Sequence, residues 1–291
     1  MICTVGDLVE DVVVRLAGTP GDPPAWGTDT TATITRSRGG SAANVAEFAA
    51  RLHGVARFVG RAGNDDAGRA LVARLRQAGV DARVEHEGHT GTVVVVVHPD
   101  GERTMLADRG ASTALAAPPV GWLDGVDVLH VPAYSLAGGS LASTAACMAR
   151  EARVAGLRVS VDASSTGVIA EVGSDEMLAR IAALHPGVLL CNAKEAVALG
   201  AEEAVARGVI ALVVVKHGAD PTRVVDRTST TTHPVPPVAW AVDTTGAGDA
   251  FAAGFLAPWA TGAPVEACVR AAHVAAARVV TQAGATLGTA P

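Results

Sequence analysis

Short apolar runs alternate with amphipathic segments along most of the chain. Runs of this length predict buried strands, and apolar residues at helical spacing predict helices. The predicted strands are residues 2–6, 126–131, 157–162, 187–192 and 210–218. The predicted helices are residues 42–53, 67–79, 140–156 and 174–185. Such alternation favours an α/β fold, with a doubly wound, mostly parallel sheet and helices on both of its faces.

Two segments, residues 9–36 and 87–105, break this alternation. Both are rich in Val and Thr, contain Pro or Gly turns and lack a helical period, and the sequence HPDGER in the second predicts a hairpin turn. We interpret them as a small β-sheet that forms a lid beside the core, which then comprises residues 1–8, 37–86 and 106–291. The alternative is that both segments supply edge strands of the main sheet.

Composition excludes several classes of function. Hydrophobic residues make up 49% of the 291 positions and aromatic residues only 3%, so the core consists mainly of Ala, Val and Leu. The net charge is −6 without any run of like charges, which argues against a nucleic-acid partner. The strongest apolar run, residues 91–98, is too short to span a bilayer. Four widely spaced cysteines and the acidic N-terminal residues Asp7, Glu10 and Asp11 favour a cytoplasmic protein without a membrane partner.

The sequence DTTGAGDAFAAGF at residues 243–255 contains the clearest candidate chemistry. Gly246 and Gly248 directly precede an apolar helical run, which places their loop at a helix N-terminus, where free N–H groups and the helix dipole bind phosphate. Phe251 stands where a dinucleotide-binding fingerprint requires glycine, and Asp249 would repel a resting pyrophosphate. A carboxylate beside an anion site suits phosphoryl transfer, in which it accepts the proton of the attacking hydroxyl. The alternative is that Asp249 only favours the helix N-terminus.

These residues resemble a known family, the ribokinase-like or PfkB carbohydrate kinases. The match includes residues 243–255 and an N-terminal signature, GGSAANVAEFAARLHGVARFVGRAG, although His53 departs from its usual Gly or Ser. The resemblance implies transfer of the γ-phosphoryl group of ATP to a hydroxyl of a small sugar or sugar-like acceptor, with Mg²⁺ and, in many members, K⁺.

The resemblance also implies a role for each matching residue. Asp249 corresponds to the catalytic base, and the N–H groups of Gly246, Ala247 and Gly248 correspond to the anion hole. Asp243 and Thr245 match the positions that hold a monovalent cation. On the acceptor side, the matching positions are Asp11, Gly39, Gly40 and Asn44.

The nucleotide side is implied by two further motifs. NAKE at residues 192–195 resembles the Asn-x-x-Glu motif of the family, in which Asn192 and Glu195 organise Mg²⁺, largely through water, and the nucleotide phosphates. Without the resemblance, the same pair forms a helix capping box. VVVKHG resembles the strand end that meets ATP in the family, with Lys216 and Gly218 at the nucleotide positions. The alternative is that Lys216 is a surface residue at the end of a strand.

The acceptor itself stays open. Ribokinases proper carry Asn and Lys where this chain has Val9 and Ser41, which argues against ribose. Four arginines flank the lid and the acceptor pocket: Arg36, Arg38, Arg103 and Arg109. If two or more of them converge, they would bind a phosphorylated acceptor. Arg103 is our candidate for acceptor contact.

A nucleoside kinase of the adenosine type is the main rival, although the lid segments offer only Trp26 to stack on a base. A non-catalytic sugar or nucleotide sensor is the rival from another class. The resemblance also implies a homodimer through the lid as an expectation.

Overall fold

A computed structural model describes residues 1–19, 27–100, 103–238, 240–282 and 284–288. The strands are β1 (Ile2–Val5), β2 (Val9–Leu16), β3 (Ala32–Gly39), β4 (Ala56–Ala62), β5 (Val80–His86), β6 (Thr90–Val97), β7 (Arg103–Gly110), β8 (Val128–Pro132), β9 (Arg158–Asp162), β10 (Val188–Asn192), β11 (Leu212–His217), β12 (Asp220–Asp226) and β13 (Thr230–His233). The helices are α1 (Ser41–His53), α2 (Asp66–Gln77), α3 (Gly139–Val154), α4 (Thr166–Val172), α5 (Ser174–Ala183), α6 (Ala193–Leu199), α7 (Ala201–Ala206), α8 (Ala247–Ala260) and α9 (Val265–Val280).

The main sheet has nine strands in the order β13-β12-β11-β10-β9-β8-β1-β4-β5. Strands β11 to β5 of this order are parallel, and only β12 and β13 at one edge are antiparallel. One apolar core packs α3 to α7 against one face, and a second packs α1, α2, α8 and α9 against the other. The predicted doubly wound α/β fold is therefore confirmed.

The lid is a separate four-stranded sheet with the order β3-β2-β6-β7. β2 and β6 are parallel, whereas β3 and β7 pair antiparallel with them. Val97 pairs with Arg103 across the predicted hairpin, whose residues 101–102 lie outside the described chain. The alternative of extra edge strands in the main sheet is wrong. β3 and β7 run past the expected boundaries at residues 36/37 and 105/106 and end at Gly39 and Gly110. The exact division of the chain between core and lid stays a proposal.

Strands β4 and β5 were not evident from the apolar pattern. β4 contains a buried Arg57, which donates to Asp81 of β5 and to the main-chain oxygens of Gly121, Trp122 and Asp124. β5 lies at the edge of the sheet, where polar residues remain in solvent. Both strands therefore carry charges that a search for continuous apolar runs misses.

The strand order sets the position of the cavity described below. Successive strands leave β1 in opposite directions across the sheet, with β4 on one side and β8 on the other. In open α/β sheets, ligands bind beyond the carboxyl ends of the strands near such a reversal. Among the described residues, no helix combines the length and hydropathy needed to cross a bilayer.

Candidate active site

A cavity of about 1650 Å³ lies at the carboxyl ends of the parallel strands and extends beneath the lid. Single-ligand pockets commonly measure roughly 300–1,000 Å³, so this volume accommodates two ligands side by side. The lid contributes the Val9, Asp11, Val93 and Met105 side chains to its wall. Other parts of the wall come from the end of β7, the carboxyl ends of main-sheet strands, helices α1, α4 and α9, the start of α8 and the loops between these elements.

The glycine loop begins α8 as predicted. Gly246 is the N-cap residue with a φ of +79°, and a Cβ there would lie 2.7 Å from the Ala285 Cβ. A side chain at this position is excluded both by the backbone conformation and by packing. The N–H group of Ala247 donates to the main-chain oxygen of Thr244 at 3.1 Å, which makes it a weaker candidate for anion binding. N–H groups in the first turn of a helix have no partner within the helix, and Gly248 occupies that turn at the cavity wall.

Asp249 lies in the first turn of α8 and lines the cavity. Its Oδ1 accepts a hydrogen bond from Ser41 Oγ at 2.6 Å, and its Oδ2 accepts one from Asn44 Nδ2 at 2.8 Å. Burial raises the pKa of Asp249 to about 6, although both hydrogen bonds act to lower it. The carboxylate is thus held by two donors from the start of α1, and its pKa lies above the ordinary range of an aspartate.

A buried arginine stands behind Asn44. Arg38 Nη1 donates to Asn44 Oδ1 at 2.8 Å, while its Nε and Nη2 donate to Glu47 Oε2 at 3.0 and 2.8 Å. The Arg38 side chain is only 5% exposed. Arg38 therefore ties the end of lid strand β3 to helix α1.

The double glycine brings the acceptor candidates together. A Cβ at Gly39 would lie 2.1 Å from Asp11 Oδ1, and a Cβ at Gly40 would lie 2.2 Å from the main-chain oxygen of Asp7. Gly40 has a φ of +98°, which favours glycine. Burial raises the pKa of Asp11 to about 6, with a further increase from Asp249. Asp11, Gly40 and Asn44 line one end of the cavity, and Gly39 packs directly behind Asp11.

The three flanking arginines whose side chains the structure describes do not converge on one point. Arg109 donates to both Asp7 oxygens at 2.7 Å and to the Tyr134 main-chain oxygen at 2.9 Å, and it lines the cavity. Arg36 pairs with Glu10 on the surface, and Arg38 is engaged as described above. The side chain of Arg103 lies outside what the structure describes.

A second group of charges lies at the ends of three neighbouring strands. Lys216 Nζ at the end of β11 donates to Asp162 Oδ2 at the end of β9 at 2.7 Å. Burial would lower the pKa of Lys216, but Asp162 and Glu195 raise it above its ordinary value. Burial and the Asp162 charge raise the pKa of Glu195. All three side chains line the cavity, as do Asn192 and Gly218.

The Asn-x-x-Glu pair forms the capping box that the sequence pattern indicated. Asn192 Oδ1 accepts from the Glu195 N–H at 2.9 Å, and Glu195 Oε2 accepts from the Asn192 N–H at 2.7 Å. The two interpretations of this motif are compatible, because the cap fixes the Glu195 carboxylate at the cavity wall.

Asp243 braces the glycine loop. Its Oδ1 accepts from the N–H and Oγ1 of Thr245 at 2.9 and 2.7 Å, and its Oδ2 accepts from the Gly284 N–H at 3.1 Å. Asp243 is buried, and Thr245 lines the cavity. The loop is thereby connected to the segment that follows α9.

The described residues contain no cluster of three or more His, Cys, Asp or Glu side chains placed to hold a metal ion by themselves. Mg²⁺ is usually bound by one or two carboxylates, water and substrate phosphates rather than by a protein cage. Glu195 and Asp162 on the cavity wall fit that pattern.

The whole chain, residues 1–291, matches the family model described as pfkB family carbohydrate kinase. The chain belongs to the pfkB family of carbohydrate kinases. It is 33% identical to an ATP-dependent ribose-1-phosphate kinase of Halopiger xanaduensis over 292 residues, which cover 98% of this chain and 93% of that protein. It is 31% identical to a fructokinase of Vibrio alginolyticus, over 87% of this chain and 88% of the other. These matches make this pfkB protein an ATP-dependent carbohydrate kinase.

Solved structures agree on the fold. The adenosine kinase of Sinorhizobium meliloti superposes with a TM-score of 0.85 at 24% identity, covering 99% of this chain and 96% of that one. Ribokinase of Thermotoga maritima superposes with a TM-score of 0.79 at 24% identity, covering 98% and 94%. The pfkB chain therefore has the ribokinase-like fold.

Sequence reasoning missed four polar residues at this site: Asp7, Ser41, Asp162 and Tyr134. Asp162 could have been found, since it ends a predicted strand at the same sheet edge as Asn192 and Lys216. The Asp7–Arg109 pair joins residues far apart in the chain and gives no local signal.

Proposed function

We propose that this kinase transfers the γ-phosphoryl group of ATP to an acceptor hydroxyl, with Asp249 as the general base. The observation that supports this most directly is the Asp249 carboxylate at the start of α8, on the cavity wall beside the glycine loop and hydrogen-bonded by Ser41 and Asn44. A carboxylate oxygen uses one lone pair in each of these bonds and retains capacity for the acceptor hydroxyl.

The reaction we propose is an in-line displacement. The acceptor oxygen forms a bond to the γ-phosphorus, the bond from that phosphorus to the β,γ-bridging oxygen breaks, and the hydroxyl proton moves to Asp249. First-turn N–H groups of α8, chiefly that of Gly248, would face the transferred group. Lys216 would lie beside the phosphates, with its charge kept by Asp162 and Glu195.

Glu195, through water, and Asp162 would hold Mg²⁺ together with the phosphates, and Mg²⁺ would neutralise charge on them.

We retain Asp243 and Thr245 as candidates for K⁺ contact, with bracing of the loop as their local role. Comparing activity in K⁺ and Na⁺ at equal ionic strength tests the cation.

For the acceptor, we propose a small sugar bound by Asp11, Asn44 and the Gly39-Gly40 backbone, with Arg103 as a further candidate. Asp11, Asp249 and the Arg109-paired Asp7 make this end of the cavity rich in carboxylates, which bind hydroxyl groups well. Among the described residues of the lid, none that lines the cavity is aromatic, which disfavours a nucleoside; Trp26 lies outside the described chain.

A sugar phosphate is the second candidate. The relative from Halopiger xanaduensis is named for ribose 1-phosphate. Arg109 uses Nε and Nη2 for Asp7 and Tyr134, and in the described chain its Nη1 has no hydrogen-bond partner. That group would bind a phosphate at the cavity wall.

The test is ADP release across ribose, fructose, ribose 1-phosphate, fructose 6-phosphate and adenosine. Turnover confined to the free sugars supports the first acceptor, and turnover confined to a sugar phosphate that is lost in Arg109→Gln supports the second. ADP release with adenosine alone would refute both.

We also propose a cytoplasmic homodimer that forms through the lid. The strand register places Asp11, Val93 and Ala107 on the cavity side, so Val12, Val94 and Leu106 face outward. Ile34 and Leu106 on that outer face are 60% and 59% exposed. Light scattering of the wild type and of Leu106→Lys tests the dimer.

A further inference from the structure

The side chain of Arg38 is linked to the candidate base through a single residue, Asn44. Arg38 Nη1 donates to Asn44 Oδ1 at 2.8 Å, and Asn44 Nδ2 donates to Asp249 Oδ2 at 2.8 Å. Glu47 anchors the other edge of the guanidinium at 2.8 and 3.0 Å. Four side chains thus form a chain from helix α1 through lid strand β3 to the start of α8.

The hydrogen-bonding chemistry of Arg38 and Asp249 determines the orientation of the Asn44 amide between them. An arginine can only donate hydrogen bonds, and an ionised carboxylate can only accept them. Asn44 therefore has to turn its oxygen to Arg38 and its NH₂ group to Asp249. A flipped amide would set oxygen against carboxylate and NH₂ against guanidinium.

From this geometry we infer that Arg38 is a positioning residue, which holds the Asn44 amide so that it donates to the base and thereby fixes the orientation of the Asp249 carboxylate. This inference rests on the proposed function, in which Asp249 is the base. Arg38 touches neither ligand site itself: its side chain is 5% exposed and does not line the cavity.

The position of Arg38 gives it a second effect. Its charge acts to lower the pKa of Asp11, whose carboxylate packs against Gly39. One buried cation therefore acts on the acceptor-binding candidate Asp11 and, through Asn44, on the base. Because Arg38 is the penultimate residue of β3 and Glu47 belongs to α1, Arg38 joins the lid sheet to the part of the core that holds Asp249.

The experiment compares Arg38→Met, Arg38→Lys and a control, Arg51→Met. Arg51 binds the other oxygen of Glu47 at 2.8 Å from an exposed position, so its loss weakens the anchor without breaking the chain to Asn44. Arg38→Met should lower kcat by about 10- to 100-fold, since small displacements of a catalytic group cost that much, and leave KM for ATP within about twofold. Arg38→Lys should recover only part of kcat. The lysine keeps the positive charge, but one ammonium group cannot bind both Asn44 and Glu47 in the way that the forked guanidinium does. Arg51→Met should keep kcat within about twofold.

The pH profile separates positioning from a structural role. Asn44 donation acts to lower the pKa of Asp249, so weaker donation should move the acid limb of kcat to higher pH. The other titratable groups that act on Asp249 are Asp11, Tyr134, Asp162 and Lys216, and none of them is substituted in these variants. Loss of the Arg38 charge raises the pKa of Asp11, and a less ionised Asp11 acts against the expected shift instead of producing it. A lowered Tm with kcat per active site and the acid limb unchanged would overturn the inference.

Two further variants keep the outcome decisive. If Arg38→Met does not fold, Arg38→Met/Glu47→Met removes the buried pair together and avoids an unpaired buried charge. Arg38→Met in an Asp249→Asn background should change residual kcat by less than about twofold, because the base that it positions is gone. An inactive Asp249→Asn with a fully active Arg38→Met refutes this inference alone. A fully active Asp249→Asn refutes the proposed base, and the inference with it.

Discussion

The change Asp249→Asn tests the proposed base most directly. The substituted amide can turn its oxygen to Asn44 Nδ2 and its NH₂ group to Ser41 Oγ, because a hydroxyl accepts as well as donates. Both existing contacts therefore keep a hydrogen bond, and only the capacity to take a proton is lost. Loss of a general base lowers kcat by about 10²- to 10⁴-fold, and we expect about 10³-fold, or about 4 kcal/mol in activation free energy.

The same variant should be more stable than the wild type at pH 8. Burial raises the pKa of Asp249 from 3.8 to about 6, so the folded protein holds this proton more tightly than the unfolded chain does. Ionisation then opposes folding: the cost is absent below 3.8, grows between 3.8 and about 6, and is complete above 6. A shift of two pKa units is worth roughly 3 kcal/mol, which cavity water screens to about 1 kcal/mol, or a few degrees in Tm.

The assay is ADP release with saturating ATP and acceptor at pH 8, with Tm measured from pH 4 to pH 8. We expect kcat about 10³-fold lower, KM values within severalfold, and a Tm advantage that disappears as the pH falls from 6 to 4. The wild type should lose activity below about pH 6 as its base is protonated. Turnover within tenfold of wild type would refute the assignment of Asp249, whatever the Tm does.

Three other substitutions follow from the cavity wall. Gly39→Ala places a methyl group where it meets Asp11 Oδ1, and should raise KM for the acceptor by about tenfold or more while KM for ATP stays unchanged; equal effects on both would contradict the assignment of this end to the acceptor. Gly246→Ala meets both a φ of +79° and the Ala285 Cβ at 2.7 Å, and should cost about 1–3 kcal/mol in the free energy of unfolding and lower kcat; wild-type kcat would argue against the glycine loop as the anion site. Glu195→Gln should raise the Mg²⁺ concentration needed for half-maximal activity by about tenfold, measured by Mg²⁺ titration at fixed ATP, and an unchanged titration would leave Glu195 as a helix cap alone.

The parts that the sequence predicts are those that local chemistry determines. The glycine loop at residues 243–248 and the capping box of Asn192 and Glu195 each consist of a few consecutive residues, so their residue order nearly defines their geometry. The alternation of strands and helices likewise predicted the α/β class.

The parts that it does not predict depend on strand order and side-chain reach. The sequence can place Asp162 at the same sheet edge as Lys216, but their contact depends on β9, β10 and β11 being neighbours, and no spacing in the chain reveals that order. The charge of Arg38 makes it a candidate phosphate ligand in the sequence. Its hydrogen bonds to Asn44 and Glu47, which engage that charge, appear only in the structure. Charge near a site is evident from sequence, but what neutralises it is a tertiary property.

The hydrogen bond from Gly284 to Asp243 connects the stretch after α9 to the glycine loop that we propose as the anion site. Val242 donates to the Val280 main-chain oxygen at 2.7 Å, Ala285 fills the space beside Gly246, and Arg278 Nε donates to the main-chain oxygen of Gly288 at 2.9 Å. A saturation-mutagenesis map of activity should therefore contain a sensitive block at residues 280–288, separate from every motif. Libraries that randomise this stretch should lose active clones, because the substitutions remove contacts that support the glycine loop.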